Sequence, residues 1–166
     1  MEEHFEKAFR YVLKNEGHYV NDKDDMGGET NYGISQNAHP DVDVKNITLE
    51  KVRQIYHDEY WLKSQCDKIE NAYVVTKLLD VAVHCGVRGG ARILQRALLA
   101  AGAKVVQDEI IGVKTVAACN TVDQNALLAA MKSEAAAYYR IVAIKQPSQE
   151  KFLNGWIQRA YKKIVL

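Results

Sequence analysis

Cysteine and proline are scarce in this sequence, and net charge is nearly absent. The three cysteines, Cys66, Cys85 and Cys119, are odd in number, widely spaced and form no C-x-x-C pair. That excludes a disulfide framework and a cysteine zinc site, and leaves small buried side chains as the expectation. The formal net charge of +1 lacks the basic excess of a general nucleic-acid binder, so no nucleic-acid partner is expected. No apolar run approaches membrane-spanning length, so no stable membrane insertion is expected. The N-terminal M-E-E-H-F-E-K is acidic and opens no continuous apolar segment of the signal-peptide kind. Synthesis in the cytoplasm follows as the expectation. Repeats and low-complexity linkers are missing too, and 166 residues suit one domain with a real core.

The charge that is present is uneven. Residues 1–30 are acidic, whereas from Arg140 onward Lys and Arg outnumber acids by six to one. Such a run is either a solvated helix face or an attraction to an anionic polymer such as cell wall.

Helical periodicity covers most of the chain. Phe5, Phe9, Val12 and Leu13 form one face of a helix from about 2 to 15, which Glu16-Gly17 ends. Thr48 is a candidate N-cap for a helix to about Lys63, carrying Val52, Ile55, Tyr56 and Tyr60. Apolar residues surround most of the helix expected over 72–85, which should be the buried central one and should break at Gly86. Further helices are expected over 90–101 and 114–119. A capping box, Thr121-Val122-Asp123-Gln124, should open an Ala-rich helix that Pro147 stops, and Ser148 can cap a last one. The fold class is mainly α, with a small irregular or β element near residues 17–35.

That element is the exception to the helical pattern. Between Glu16 and Ser35 lie five acidic residues, four glycines and two tyrosines, with no helical period. A calcium loop beginning at Asp22 fails, because Met26 would be a ligand and Gly33 occupies the position of the bidentate Glu. A phosphate loop over Gly28–Ser35 fails because Ile34 replaces the lysine and no strand precedes it. Glycoside hydrolysis needs two carboxyl groups about the scissile bond, and Glu16 and Asp25 supply them. Glu16 follows a helix C-terminus, where the dipole disfavours negative charge and so suits a group that must carry a proton. Thr30 offers a hydroxyl, Tyr19 and Tyr32 can stack on sugar faces, and Asn21, Asn31 and Ser35 can hydrogen-bond them. An acidic surface loop with turn glycines has the same composition, so spacing alone leaves both open.

The segment resembles the signature of the glycoside hydrolase family 108 peptidoglycan muramidases, E-G-G-Y-x-N-x-P-x-D-P-G-G-x-T-x-x-G-I-S. It is also similar to the Glu–Asp–Thr arrangement of phage lysozymes. Tyr60-Trp61, Cys66-Asp67, Asp80–Gly86, Ile93–Leu98, the segment from Gly112, and Phe152–Arg159 extend the likeness over nearly the whole chain. The later part resembles what is described as a predicted peptidoglycan domain. His18, Lys23, Met26, Tyr32 and His84 depart from the family pattern, His84 standing where Asn is frequent.

The resemblance implies a two-lobed, lysozyme-like unit, with a catalytic region over 1–70 and a peptidoglycan region over 71–166. It implies hydrolysis of the β-1,4 bond between N-acetylmuramic acid and N-acetylglucosamine. Glu16 would be the general acid, Asp25 the opposing carboxylate, and Thr30 the group that positions water. Tyr19, Asn21, Tyr32, Ser35 and His84 would contact sugar. Peptidoglycan glycan strands are the partner, no metal or organic cofactor is implied, and a monomer of bacterial or phage origin is expected. The site of action would be periplasm or cell wall, reached by holin-type or other non-classical export. The rival expectations are a non-catalytic wall binder, a secretion-regulating protein and a helical adaptor for secretion or phage assembly.

Overall fold

A computed structural model describes residues 2–21 and 28–166. The fold is mainly α, with one small sheet among the described residues, as the sequence pattern requires. Helix α1 spans Glu2–Asn15 and buries Phe5, Ala8, Phe9, Tyr11 and Val12. Strands β1 (Thr30–Asn31) and β2 (Ile34–Ser35) pair antiparallel, with Thr30 opposite Ser35 and Asn31 opposite Ile34. Val20 adds a bridge to Thr30.

Thr48 caps α2 (Leu49–Ile55) by accepting from the Lys51 N–H at 3.2 Å. The helix does not continue to Lys63 in α geometry. It widens into a π-helical turn over Tyr56–Trp61, a local rearrangement that re-aims side chains. Tyr56 and Trp61 are buried there, and the Tyr56 hydroxyl donates to the Tyr32 carbonyl at 2.7 Å. Arg53 Nε donates to Glu6 Oε1 at 2.7 Å and ties α2 to α1.

Helix α3 (Ala72–Ala100) is the central element and packs on α1, on the π-helical turn and on α5. The sequence pattern predicts two helices here, separated by residues 86–89. Only Gly86 leaves helical geometry, at φ +76° and ψ 162°, a conformation that L side chains rarely adopt. The result is one element with a kink, and the buried run Val74–Val83 precedes it.

After the segment of residues 102–112 come α4 (Val113–Thr121) and α5 (Gln124–Lys145). The expected capping box does not form, because Thr121 belongs to α4 and bonds back to the Ala117 carbonyl at 2.9 Å. Asp123 caps α5 instead, accepting from the Ala126 N–H at 2.8 Å. Gln124 turns back to donate to the Cys119 and Val122 carbonyls. Pro147–Phe152 forms a 3-10 turn, so α6 (Leu153–Tyr161) follows Phe152 at its N-cap position without a side-chain cap, and Ser148 does not serve as one. Cys66 and Cys119 are buried and Cys85 is partly buried, all three as free thiols. No helix among the described residues is long and apolar enough to cross a membrane.

Candidate active site

Glu16 sits where α1 runs out, its N–H still bonded to the Val12 carbonyl at 3.0 Å. The β1–β2 hairpin closes over it. Both turn residues have positive φ, Tyr32 at 49° and Gly33 at 73°. Tyr32 tolerates this because its N–H donates to the Gly17 carbonyl at 3.2 Å and its own carbonyl accepts from Tyr56. Gly33 is required twice over, since a Cβ there would lie 2.9 Å from the Glu16 carboxyl carbon.

A buried charge network supports the carboxyl from the other side. Arg159 of α6 donates from Nη2 to Glu16 Oε1 at 2.5 Å, and its Nε donates to Asp80 Oδ1 at 3.1 Å. Lys77 Nζ, fully buried, donates to Asp80 Oδ2 at 2.9 Å and to the Arg159 carbonyl at 3.3 Å. Asn15 also donates to Asp80 Oδ1, at 3.2 Å, and accepts from Lys162 at 2.6 Å. Two cations thus answer two carboxylates around the end of α1. Burial alone would raise the Asp80 pKa, but Arg159 and Lys77 outweigh it and hold the carboxyl below the usual range. For Arg159 burial acts downward, and Asp80 and Glu16 overcome it, so the guanidinium is held more firmly charged. Glu16 therefore has a direct cationic partner, where the sequence shows only the negative end of a helix dipole.

The exposed side of this assembly is an open cavity of about 420 Å³. Glu16, Thr30, Ser35, Tyr60, His84 and Trp156 are among its lining residues. Thr30 Oγ1 donates to the Gly28 carbonyl at 3.2 Å, and Ser35 Oγ accepts from the Ala38 N–H at 3.4 Å. The His84 ring is packed edge-on by Tyr139 at 5.1 Å and Trp156 at 5.7 Å. Arg159 Nη1 stands 3.4 Å from His84 Nδ1. A guanidinium can only donate, so Nδ1 is the acceptor and the ring proton lies on Nε2. Burial first, and then the Arg159 charge, push the His84 pKa down to about 3. Burial and the charges of Glu59 and Glu16 push Tyr60 up to about 12, so its phenol stays protonated.

Thr30, Ser35 and His84 therefore share one cavity with Glu16. Three other residues expected to contact sugar lie elsewhere. Tyr32 packs edge-on against His18 at 5.5 Å, in a second and larger cavity of about 780 Å³ that Glu16 also borders. Tyr19 is exposed beneath Lys45, whose Nζ is 6.0 Å from the ring centre. Asn21 donates to Glu29 at 3.3 Å. Asn31, a candidate for sugar hydrogen bonds by composition, is spent on the Val44 carbonyl at 3.1 Å. Asp25 lies outside the described residues. No group of three or more His, Cys, Asp or Glu side chains among the described residues is placed to hold a metal ion.

Residue-level reading of the sequence missed Arg159, Asp80 and Lys77, and the cavity wall of Tyr138, Tyr139, Phe152 and Trp156. One signal was available: Lys77 and Asp80 are charges spaced i, i+3 on a helix that is otherwise apolar around its circumference. Part of the basic tail is likewise internal, because Arg159 is buried in ion pairs and is no solvated face.

Residues 9–86 match the model of glycosyl hydrolase 108, and residues 89–161 match that of a predicted peptidoglycan domain. Eleven chains of solved structures match, among them Brucella abortus SagA, at 28% identity and a TM-score of 0.79. That match covers 96% of this chain and 91% of the other, and it gives the fold as lysozyme-like. No curated protein sequence matches. The first family segment runs from inside α1 to Gly86, and the second begins just past the kink. The cavity draws its lining from both.

Proposed function

This chain belongs to glycosyl hydrolase family 108 and carries a predicted peptidoglycan domain, and from that premise we propose that it is an N-acetylmuramidase. It would hydrolyse the β-1,4 bond between N-acetylmuramic acid and N-acetylglucosamine. One observation carries the reading. The Glu16 carboxyl is largely buried, held at a helix end by Arg159, and borders an open cavity walled by hydroxyls and aromatic rings. Aromatic faces with a few polar groups are what a sugar polymer requires of its binding cleft.

In this reading Glu16 gives its proton to the leaving glycosidic oxygen as the C–O bond breaks. Water supplies hydroxide to the anomeric carbon and its proton to the opposing carboxylate, so atoms and charge balance over the cycle. Asp25 is assigned as that carboxylate by its match to the family motif. Thr30, on the same cavity wall as Glu16, is assigned to orient the water. Arg159 fixes the position of Glu16.

The test is mass spectrometry of digested peptidoglycan with wild type and Glu16→Gln. Wild type should release fragments with N-acetylmuramic acid at the new reducing end, and the variant, folded by circular dichroism, should release none. Glucosamine reducing ends or free peptides would refute the muramidase assignment. Saturable binding with no cleavage by either protein would favour a non-catalytic wall binder.

A further inference from the structure

Beside the 420 Å³ cavity around Glu16 lies a smaller one of about 290 Å³, between the later half of α3 and α5. The two are not separate features. Tyr138 and Val142 line both, so these side chains form a shared wall. This smaller cavity lies wholly within residues 89–161, the segment that matches the predicted peptidoglycan domain.

Its chemistry differs from that of the first. Arg92 and Arg96 on α3 and Lys145 at the end of α5 surround an apolar floor that includes Ile141, which is 44% exposed. The acidic groups present do not cancel these cations. Glu134 takes Arg96 at 2.5 Å, and Glu109 is shared between Arg92 and Arg88. Among the lining residues three cations thus face one carboxylate, and Lys145 has no ion-pair partner among the described residues.

We propose that this cavity binds the acidic stem peptide of peptidoglycan, the short chain carried on the lactyl group of each muramic acid. The inference rests on the reading of the Glu16 cleft as a glycan site. A strand lying in that cleft carries its stems beside the sugars, and Tyr138 and Val142 are where one passes from one cavity to the other. The surplus of positive charge suits the free carboxylates of such a peptide, and the apolar floor suits its alanine methyls. The enzyme then discriminates stem-bearing glycan from bare glycan, a choice that the sugar cleft alone does not provide.

The probe is the free tetrapeptide L-Ala-γ-D-Glu-diaminopimelate-D-Ala, titrated into ¹⁵N-labelled full-length protein. Amide shifts should cluster at Tyr138, Ile141, Val142 and Lys145. Lys145→Glu, an exposed change at a helix end, should weaken binding about tenfold, more at low salt than at high. Peptide binding needs no hydrolysis, so this result stands or falls apart from the muramidase assignment. With active enzyme, the same variant should lower the ratio of kcat/KM for intact strands over amidase-stripped strands. Shifts confined to the Glu16 cleft or to the larger cavity beside Tyr32 and His18, or no shifts at millimolar peptide, overturn the proposal whether or not the protein cleaves glycan.

Discussion

His84 should make the folded protein sensitive to mild acid, and the size of the effect follows from its surroundings. Its ring lies between Tyr139 and Trp156, with the Arg159 guanidinium on Nδ1 and Lys77 nearby, while Asp80 opposes them only in part. The folded-state pKa is about 3, against an ordinary value of 6.5. Below pH 6.5 the unfolded chain therefore binds a proton that the folded chain refuses. Stability contributed by the neutral ring is complete above that pH and falls as acid is added, until the folded ring itself titrates near pH 3. Each tenfold difference in proton affinity is worth about 1.36 kcal/mol, so the loss is about 2 kcal/mol by pH 5 and approaches about 5 kcal/mol at the lower limit. Asn at position 84 keeps an acceptor for Arg159 and does not titrate. Urea unfolding of wild type and His84→Asn at pH 7, 6 and 5 isolates the effect, because every other ionisable group is common to both. The stability difference should move by about 2 kcal/mol in favour of the variant between pH 7 and 5. Parallel curves over that range would refute the argument, as would an imidazolium signal at pH 5 in ¹⁵N spectra of the ring.

Two further outcomes follow from the support of Glu16. Arg159→Ala leaves Asp80 and Glu16 without their shared cation, and should cost about 3–5 kcal/mol in urea unfolding. Arg159→Lys, which keeps the charge and loses the fork, should fall between the alanine variant and wild type; a loss below about 1 kcal/mol for the alanine would show that the pairs are not structural. Gly33→Ala places a methyl against the Glu16 carboxyl at a backbone φ of 73°. It should destabilise by about 1–3 kcal/mol and lower kcat on peptidoglycan more than it raises KM, and unchanged kcat would place Glu16 outside the reaction.

Much of the architecture was legible from residue patterns because helices are local. The 3.6-residue period located α1 and the apolar run located the core of α3, alanine richness and the Pro147 stop marked the long α5, and Thr48 marked the start of α2. Local signals failed where two were in competition. Thr121 and Asp123 are both good caps, and the choice fell to Asp123 because α4 absorbs Thr121. Tyr56–Trp61 carries an α-helical pattern, yet it widens to π geometry where Tyr56 reaches the carbonyl of Tyr32.

Residue order alone shows which stretch breaks the helical pattern, that Glu16 stands at a helix end, and that glycines frame the segment after it. These are properties of neighbours along the chain, where propensity and spacing act directly. What touches Glu16 depends on contacts distant along the chain. Arg159 lies 143 residues away and Asp80 lies 79 residues from Arg159; their meeting depends on how α1, α3 and α6 converge. The same convergence turned Tyr32 toward His18 and brought His84 and Trp156 to the cavity. Direction of a side chain is set by packing between helices, and no period within one helix encodes which distant residue will be there to meet it.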